Sequence, residues 1–263
     1  MDGLVLRAAA SRVAVMVACA IATLVCPTHN AEVHVWAPSA SLGPLAAFTR
    51  WDAARMLGLA ADGHGASEEA YAFFPLYPMA LRALERTVRG AVGVQSPRIM
   101  VCCALALNTA SFAVAACALR ALTVRVVKRG GRFADRVATL FVWSPVGVFF
   151  CAAYSEALFC AFAFSGLLFL ALAVDESDVE RPSLGRVALA PWVWGWCACL
   201  ALALATATRA NGAVNAAFFL FYGTVPLARR FAAACCPRRA RALKACWPQR
   251  VQRSLARDLT AGV

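Results

Sequence analysis

Charged residues are scarce in this sequence. Asp, Glu, Lys and Arg make up 15% of the 263 residues, whereas apolar residues make up 62%, and the mean hydropathy is +0.66. A soluble domain usually carries about 25% charged and about 45–50% apolar residues. The composition therefore excludes an ordinary soluble domain and predicts several helices that each face lipid.

Histidines are also few, and the possible metal ligands do not have the spacing of a metal site. His29, His34 and His64 form no ligand spacing, and no CxxC pair or Cys/His spacing of a zinc site occurs. The twelve cysteines lie mostly inside apolar runs, where a thiol acts as a small hydrophobic side chain. We therefore expect no metal site, and the cysteines do not indicate a redox compartment.

The net charge of +12 results from 26 basic and 14 acidic residues. A nucleic-acid-binding protein carries its basic residues on one folded face. Here they lie between apolar runs and near the C-terminus, which is typical of a membrane protein oriented by its cytoplasmic loops. We expect no nucleic-acid partner.

Six apolar runs approach the roughly 20 residues that a helix needs to cross a bilayer. The predicted spans lie near residues 10–28, 99–119, 137–155, 157–174, 187–208 and 210–228. The first run also fits a cleaved signal peptide, but it lacks a clean small-x-small cleavage site, which favours a retained anchor. The sequence predicts an all-α polytopic membrane helical bundle over residues 1–228 and a basic cytoplasmic tail at 229–263.

Basic residues indicate the orientation. Arg7 and Arg12 precede the first span, and further clusters occupy the loop 125–136 and the tail after residue 228. Cytoplasmic loops carry an excess of Lys and Arg, so we expect all three regions to be cytoplasmic. This arrangement requires the segment 71–89 not to cross the membrane.

The segment 71–89 is apolar at first and charged later. Its second part has four charged residues at spacings that share one helical face, namely Arg82, Glu85, Arg86 and Arg89. Such a helix lies in the membrane surface. We predict an interfacial or re-entrant helix within a long lumenal loop at 29–98, with the polar residues near the spans gathered on the lumenal side.

Four polar clusters stand out against the apolar background. They are Arg50-Trp51-Asp52, the stretch 68–75, Tyr154-Ser155-Glu156 and the stretch 208–212. Ionisable residues at membrane depth are costly, so Glu156 and Arg209 are candidate functional residues.

Each candidate also has a structural interpretation. Asp52 alternatively pairs with a neighbouring arginine in a solvated loop. Glu156 alternatively caps the following helix, Arg209 reaches a lipid headgroup, and Trp51 belongs to an interfacial aromatic belt.

The order of the motifs resembles the GPI mannosyltransferase 2 family of endoplasmic-reticulum glycosyltransferases. The matching strings are RWDA at 50–53, YAFFPLYP at 71–78, SPVGVFFCAAYSEALF at 144–159 and TRANG at 208–212. Together they cover most of the chain. The resemblance implies a GT-C type fold in the endoplasmic reticulum membrane, with a lumenal active site. It also implies transfer of mannose from dolichyl-phosphate-mannose to the glycosylphosphatidylinositol precursor, as its second mannose in an α-1,6 linkage.

The resemblance also suggests roles for individual residues. Asp52, Glu68, Glu156 and Arg209 match family residues, and we expect Asp52 to act as the catalytic base. Arg209 is the first candidate for the donor phosphate, followed by Arg50 or Arg55. The expected substrate-binding residues are Arg50, Trp51, Glu68, Tyr154, Glu156, Arg209 and Asn211.

The expected partners follow from the same resemblance. They are the lipid-linked mannose donor, the GPI precursor glycolipid, membrane lipids and, as an option, a small membrane partner subunit. We expect no metal and no cofactor beyond the donor substrate.

Two departures keep alternatives open. Arg55 stands where family members commonly have histidine, and members of the family are much longer than this chain. The chain can therefore be an N-terminal or truncated form, and a non-catalytic membrane subunit of a GPI-assembly complex is the main alternative. A small transporter or another enzyme that uses dolichyl-phosphate-mannose are further alternatives.

Overall fold

The structure, a computed structural model, describes residues 2–26, 42–64, 68–127, 131–177 and 191–221. The α-helices are α1 Asp2–Val25, α2 Asp52–Asp62, α3 Leu76–Val92, α4 Pro97–Val127, α5 Gly131–Val142, α6 Glu156–Ser177 and α7 Pro191–Thr208. Short 3₁₀ helices occupy Gly43–Phe48, Glu68–Ala72, Gly147–Phe150 and Ala210–Asn215. No strand occurs in these ranges, so the predicted all-α bundle is confirmed.

Among the residues that the structure describes, three helices are long and apolar enough to cross a membrane. They are Gly3–Val25 in α1, Pro97–Val127 in α4 and Glu156–Ala173 in α6. α4 has 31 residues, about 46 Å at 1.5 Å per residue, and so exceeds the roughly 30 Å hydrocarbon core. α7 is a shorter apolar helix that packs against α6.

Local sequence explains where the helices around the long loop begin and end. Pro97 starts α4, a position at which its missing N–H costs nothing, and the Ser96 hydroxyl accepts a hydrogen bond from the backbone N–H of Arg98 at 3.3 Å. α3 ends at Gly93, whose φ of +71° places it in the left-handed region.

α3 packs against α2 and the start of α4. Its buried residues Tyr77 and Leu81 join one hydrophobic cluster with Leu57 of α2 and Val101 near the start of α4. The interfacial position of the segment 71–89 stays a prediction.

A charged cluster marks the opposite end of the bundle. Arg120 of α4 donates from Nε to Asp135 Oδ1 of α5 at 2.6 Å, and this hydrogen bond lowers the pKa of the Asp135 carboxyl. Arg7 and the N-terminal amine also lower the pKa of Asp135. Arg7 of α1 and Asp135 of α5 thus lie at the same end of the bundle.

The predicted span at 137–155 is wrong as a continuous helix. α5 ends at Val142 and a 3₁₀ turn follows at Gly147–Phe150. Pro145 explains the break, because proline removes a helical hydrogen bond and disfavours helical geometry in the preceding residue. The 12 residues of α5 reach about 18 Å, too short to cross the hydrocarbon core.

The interpretation of Arg12 as a cytoplasmic anchor is also wrong. Arg12 is 1% exposed within α1, and its guanidinium donates to the carbonyl oxygens of Val142 and Gly147. These two carbonyls lie at the end of α5 and at the start of the following 3₁₀ helix, and they stabilise a cation that would otherwise be costly in a membrane-spanning helix.

The remaining predicted boundaries shift modestly. The first helix begins at Asp2 rather than near residue 10, and the last predicted span starts with the 3₁₀ helix Ala210–Asn215 and continues helically to residue 221. Residues 187–190, 222–228, the tail 229–263 and parts of the predicted lumenal loop lie outside the described residues.

Candidate active site

Three of the four motif segments meet around Tyr154–Glu156. The Tyr154 hydroxyl donates to the backbone carbonyl of Arg50 at 3.3 Å. Glu156 opens α6, and its Oε1 accepts a hydrogen bond from Nη1 of Arg209, the residue that follows α7. The same Nη1 donates to Ser155 Oγ at 3.4 Å. Residues 104 and 53 positions apart in sequence thus share one site at one end of the bundle.

The Glu156–Arg209 pair is partly shielded. The side chains are 28% and 35% exposed, and the second carboxylate oxygen, Oε2, is buried without a hydrogen-bond partner among the described residues. Glu156 thus holds Arg209 with one oxygen and retains an acceptor on the other.

Trp51 has an unusual backbone conformation. Its φ of +57° and ψ of −136° make it the residue other than glycine with positive φ in the described part of the chain. Such a conformation costs roughly 1–3 kcal/mol and persists mainly at functional sites. The Trp51 ring is 66% exposed, so burial of the ring does not compensate for the strain.

Asp52 follows directly as the first residue of α2. Its side chain is exposed, whereas Ala53 and Ala54 behind it are buried. A carboxylate suits the first turn of a helix. The contact between Tyr154 and Arg50 brings this turn next to the Glu156 segment.

The turn after α7 requires its glycine. The Gly212 N–H donates to the Arg209 carbonyl at 2.9 Å. A Cβ atom at Gly212 would lie 2.4 Å from backbone atoms of Thr206, closer than real contacts allow. The close approach fixes where Arg209 leaves the helix. Asn211 is exposed in the same turn.

Glu68 is not brought into contact with the other site residues by the structure. Its side chain is exposed at the start of the 3₁₀ helix Glu68–Ala72. No role was predicted for His64, but its Nε2 lies 3.2 Å from the carbonyl oxygen of Phe73 and so connects the end of α2 to the motif that follows Glu68.

Two buried polar residues beside the site were not predicted from the sequence. Tyr77 of α3 is fully buried, and this burial raises the pKa of its phenol. Asn108 lowers that pKa, whereas the charge of Glu156 raises it. Asn108 of α4 is also fully buried and donates to the backbone of the segment before Glu156. A lone asparagine in an apolar run was the available signal, since such residues hydrogen-bond between membrane helices.

A cavity of about 420 Å³ lies between α2, α3 and the start of α4. The four charged residues predicted to share one face of α3 all line it, which confirms the helical spacing: Arg82, Glu85, Arg86 and Arg89. Glu85 Oε1 lies 3.7 Å from Arg89 Nε. This polar face is turned toward the cavity rather than lying fully exposed.

Comparison with known proteins identifies relatives of the chain. The chain is 36% identical over 165 residues to the mouse GPI alpha-1,6-mannosyltransferase 2, covering 59% of this chain and 33% of that protein. It is 34% identical over 175 residues to the human GPI alpha-1,6-mannosyltransferase 2, covering 62% of this chain and 35% of that protein.

A more distant relative is covered over a longer stretch. The GPI mannosyltransferase 2 of Drosophila pseudoobscura pseudoobscura is 26% identical over 227 residues, which are 81% of this chain and 46% of that protein. The chain thus spans about a third to a half of the length of these relatives. No solved structure matches the chain.

The family model described as mannosyltransferase (PIG-V) matches residues 14–245. That range contains the second half of α1, all of α2 to α7 and all four motif segments. The chain therefore belongs to the mannosyltransferase (PIG-V) family.

Proposed function

We propose that this chain is a mannosyltransferase of GPI-anchor assembly. It transfers the second mannose from dolichyl-phosphate-mannose to the GPI precursor in an α-1,6 linkage, at the lumenal face of the endoplasmic reticulum membrane. The observation that carries the proposal is the meeting of the Arg50, Tyr154–Glu156 and Arg209 segments at one end of the bundle, in a chain of this family.

Asp52 is the proposed catalytic base. The lipid phosphate is already a good leaving group, so the step that needs help is removal of the proton from the acceptor hydroxyl. A carboxylate within hydrogen-bond reach contributes about 10²–10⁴-fold to the rate. The acceptor oxygen attacks the anomeric carbon of mannose as its bond to the phosphate breaks, and Asp52 receives the hydroxyl proton. This direct inverting displacement needs no metal ion.

Arg209 is the proposed partner of the donor phosphate. Both of its side-chain contacts use Nη1, so Nε and Nη2 can form the two-point contact with phosphate for which guanidinium is suited. Glu156 holds Arg209 in place through Oε1. Arg50 or Arg55 is the second candidate for the phosphate.

The remaining predicted site residues have supporting roles in this proposal. Trp51, Tyr154 and Asn211 border the sugar, and Glu68 contributes from the neighbouring loop. Trp51, Asn211 and Glu68 have exposed side chains, as a binding surface requires.

A rescue assay tests the proposed function. The chain is expressed in cells that lack the second GPI mannosyltransferase, and surface GPI-anchored proteins are measured by flow cytometry. We expect rescue by the unchanged chain and none by Asp52→Asn at equal expression. Asp62→Asn is the matched control, because Asp62 is an exposed aspartate at the other end of the same helix.

Three results of this assay are informative. Rescue by Asp52→Asn equal to that of the unchanged chain would remove Asp52 from the catalytic role. Loss of rescue with both substitutions points to α2 folding rather than to catalysis. No rescue by the unchanged chain, expressed at normal levels, contradicts the enzymatic proposal for this chain and favours the subunit alternative.

A further inference from the structure

Arg12 is a buried cation inside a membrane-spanning helix. Its guanidinium donates from Nη1 to the Gly147 carbonyl at 2.8 Å and from Nη2 to the Val142 carbonyl at 3.0 Å. Its Cζ lies 4.1 Å from the centre of the Phe112 ring. Within the described part of the chain, its partners are thus carbonyl oxygens, neighbouring polar groups and a ring face rather than a carboxylate. Charged groups in such positions are rare and usually functional.

Asn108 lies in the middle of α4 and is also fully buried. Its Nδ2 donates to the carbonyl oxygens of Cys151, at 3.4 Å, and Tyr154, at 3.2 Å. A further hydrogen bond goes to the carbonyl of Ala152. One amide group therefore contacts three carbonyls of a four-residue stretch that ends two residues before Glu156.

The two side chains contact opposite ends of the same segment. The segment 143–155 joins α5 to α6 and contains one short 3₁₀ helix, so most of its carbonyls lack regular helical partners. Arg12 binds the carbonyl of Val142, directly before the segment, and that of Gly147 within it, and Asn108 binds carbonyls at its end. These two residues of α1 and α4 are distant in sequence but act on one connecting segment.

The backbone at Gly147 is shaped to receive Arg12. A Cβ atom at Gly147 would lie 2.9 Å from Cγ2 of Val15 and 3.4 Å from Nη1 of Arg12. The absence of a side chain at this position thus allows α1 to approach the segment. The close packing indicates a specific contact rather than a chance burial of Arg12.

We propose that Arg12 and Asn108 are positioning residues, which hold the segment 143–155 so that Tyr154 reaches Arg50 and Glu156 reaches Arg209. The expected effect of these two residues on catalysis rests on the proposed function, but their expected effect on the segment 143–155 does not. The ordinary alternative is that both residues only stabilise the bundle as a whole. The two alternatives differ in which amides become exposed when the contacts are removed.

Hydrogen exchange of the purified full chain tests the positioning directly. The variants are Arg12→Lys, which loses the two-point contact, and Asn108→Leu, which keeps the branched shape but donates no hydrogen bonds. The matched controls are Arg7→Lys and Thr109→Val, since the side chains of Arg7 and Thr109 hydrogen-bond, within the described part of the chain, to carbonyls of their own helices.

The expected result is local. Amide exchange in the segment 143–155 rises roughly tenfold to a hundredfold in both test variants, as expected for the loss of hydrogen bonds to buried carbonyls, while α4 and α6 exchange as before. Unchanged exchange in the segment overturns the proposal. An equal rise throughout α4 and α6 also overturns it, because the residues would then act on the whole bundle.

Mannose transfer by the same variants supplies a second measurement. Positioning predicts that kcat falls by at least about tenfold, while KM for the donor changes little, because a displaced site residue affects the reaction more than binding. An unchanged kcat contradicts the catalytic consequence. If the unchanged chain transfers no mannose, the proposed function fails, and the exchange result still decides the positioning.

Discussion

The ion pair between Glu156 and Arg209 makes a quantitative prediction. It joins the first residue of α6 to the turn after α7, so it should couple these two helices in stability as well as in function. Exposed pairs contribute about 0.2–1 kcal/mol, whereas loss of one partner of a fully buried pair costs about 3–5 kcal/mol. The two side chains are 28% and 35% exposed, so solvent screens this pair in part. We therefore expect a coupling energy between the two limits, at about 2 kcal/mol.

A double-mutant cycle measures this coupling. Glu156→Gln, Arg209→Gln and the double variant are compared with the unchanged chain by thermal unfolding in detergent. Each single variant should lose about 4–8 °C, because 1 kcal/mol corresponds to about 2–4 °C in a chain of this size. The double variant should lose less than the sum, because Gln opposite Gln leaves no unpaired charge.

A second ion pair provides the comparison. Arg120 and Asp135 lie at the opposite end of the bundle, with side chains 34% and 47% exposed. Their coupling should be smaller, and their removal should not affect mannose transfer. A coupling energy below about 0.5 kcal/mol for Glu156 and Arg209, within the range of exposed pairs, would refute the argument that this pair fastens the site.

Three further predictions concern backbone geometry and close packing. Trp51→Gly should raise the free energy of unfolding by about 1 kcal/mol, since glycine adopts a positive φ without strain. The same variant should abolish transfer if the ring borders the sugar. Thermal unfolding and the transfer assay measure the two effects, and a lower melting temperature would contradict the argument from backbone strain. Gly212→Ala should destabilise the chain and lower transfer, because the new Cβ would lie 2.4 Å from the backbone of the last turn of α7. Gly195→Ala in that same helix has open space around it and should be neutral or stabilising by up to about 1 kcal/mol, so equal melting temperatures for the two variants would contradict the prediction. Gly166→Ala should lower the free energy of unfolding by about 1–3 kcal/mol, because its Cβ would lie 2.5 Å from the Leu202 side chain. In the double variant, Leu202→Ala should recover part of that loss. If the two losses are simply additive, the close approach of α6 and α7 is contradicted.

The apolar runs predicted most of the helices. Length and hydropathy located α1, α4, α6 and α7, since a lipid-facing helix needs about 20 apolar residues whatever its tertiary contacts are. The four-residue charge pattern on α3 predicted an amphipathic helix outside the spans, because the spacing itself places those side chains on one face. The apolar runs and basic regions together predicted that Glu156 and Arg209 would lie at the same end of the bundle.

The residues that shape the connection at 143–155 could not be predicted in the same way. Composition does not separate a continuous span from a helix interrupted at Pro145, because both sides of the break are apolar. In the sequence, Arg12 resembles a cytoplasmic anchor. Only the structure shows that carbonyls at the helix interruption accept its hydrogen bonds. Asn108 is one polar residue in a long apolar helix, and its role depends on a segment more than forty residues away. Such information lies in tertiary contacts rather than in local periodicity.

In the proposed function, the three joined segments form a site for mannose transfer, with Asp52 as its base. The most direct measurement is transfer of radiolabelled mannose from dolichyl-phosphate-mannose to a GPI precursor that carries one mannose, in membranes containing the full chain. We predict a product whose new mannose is released by an α-1,6-specific mannosidase, and a rate about 10²–10⁴-fold lower with Asp52→Asn but unchanged with Asp62→Asn. Transfer by Asp52→Asn at the unchanged rate, or no transfer by the well-folded unchanged chain, would contradict the claim.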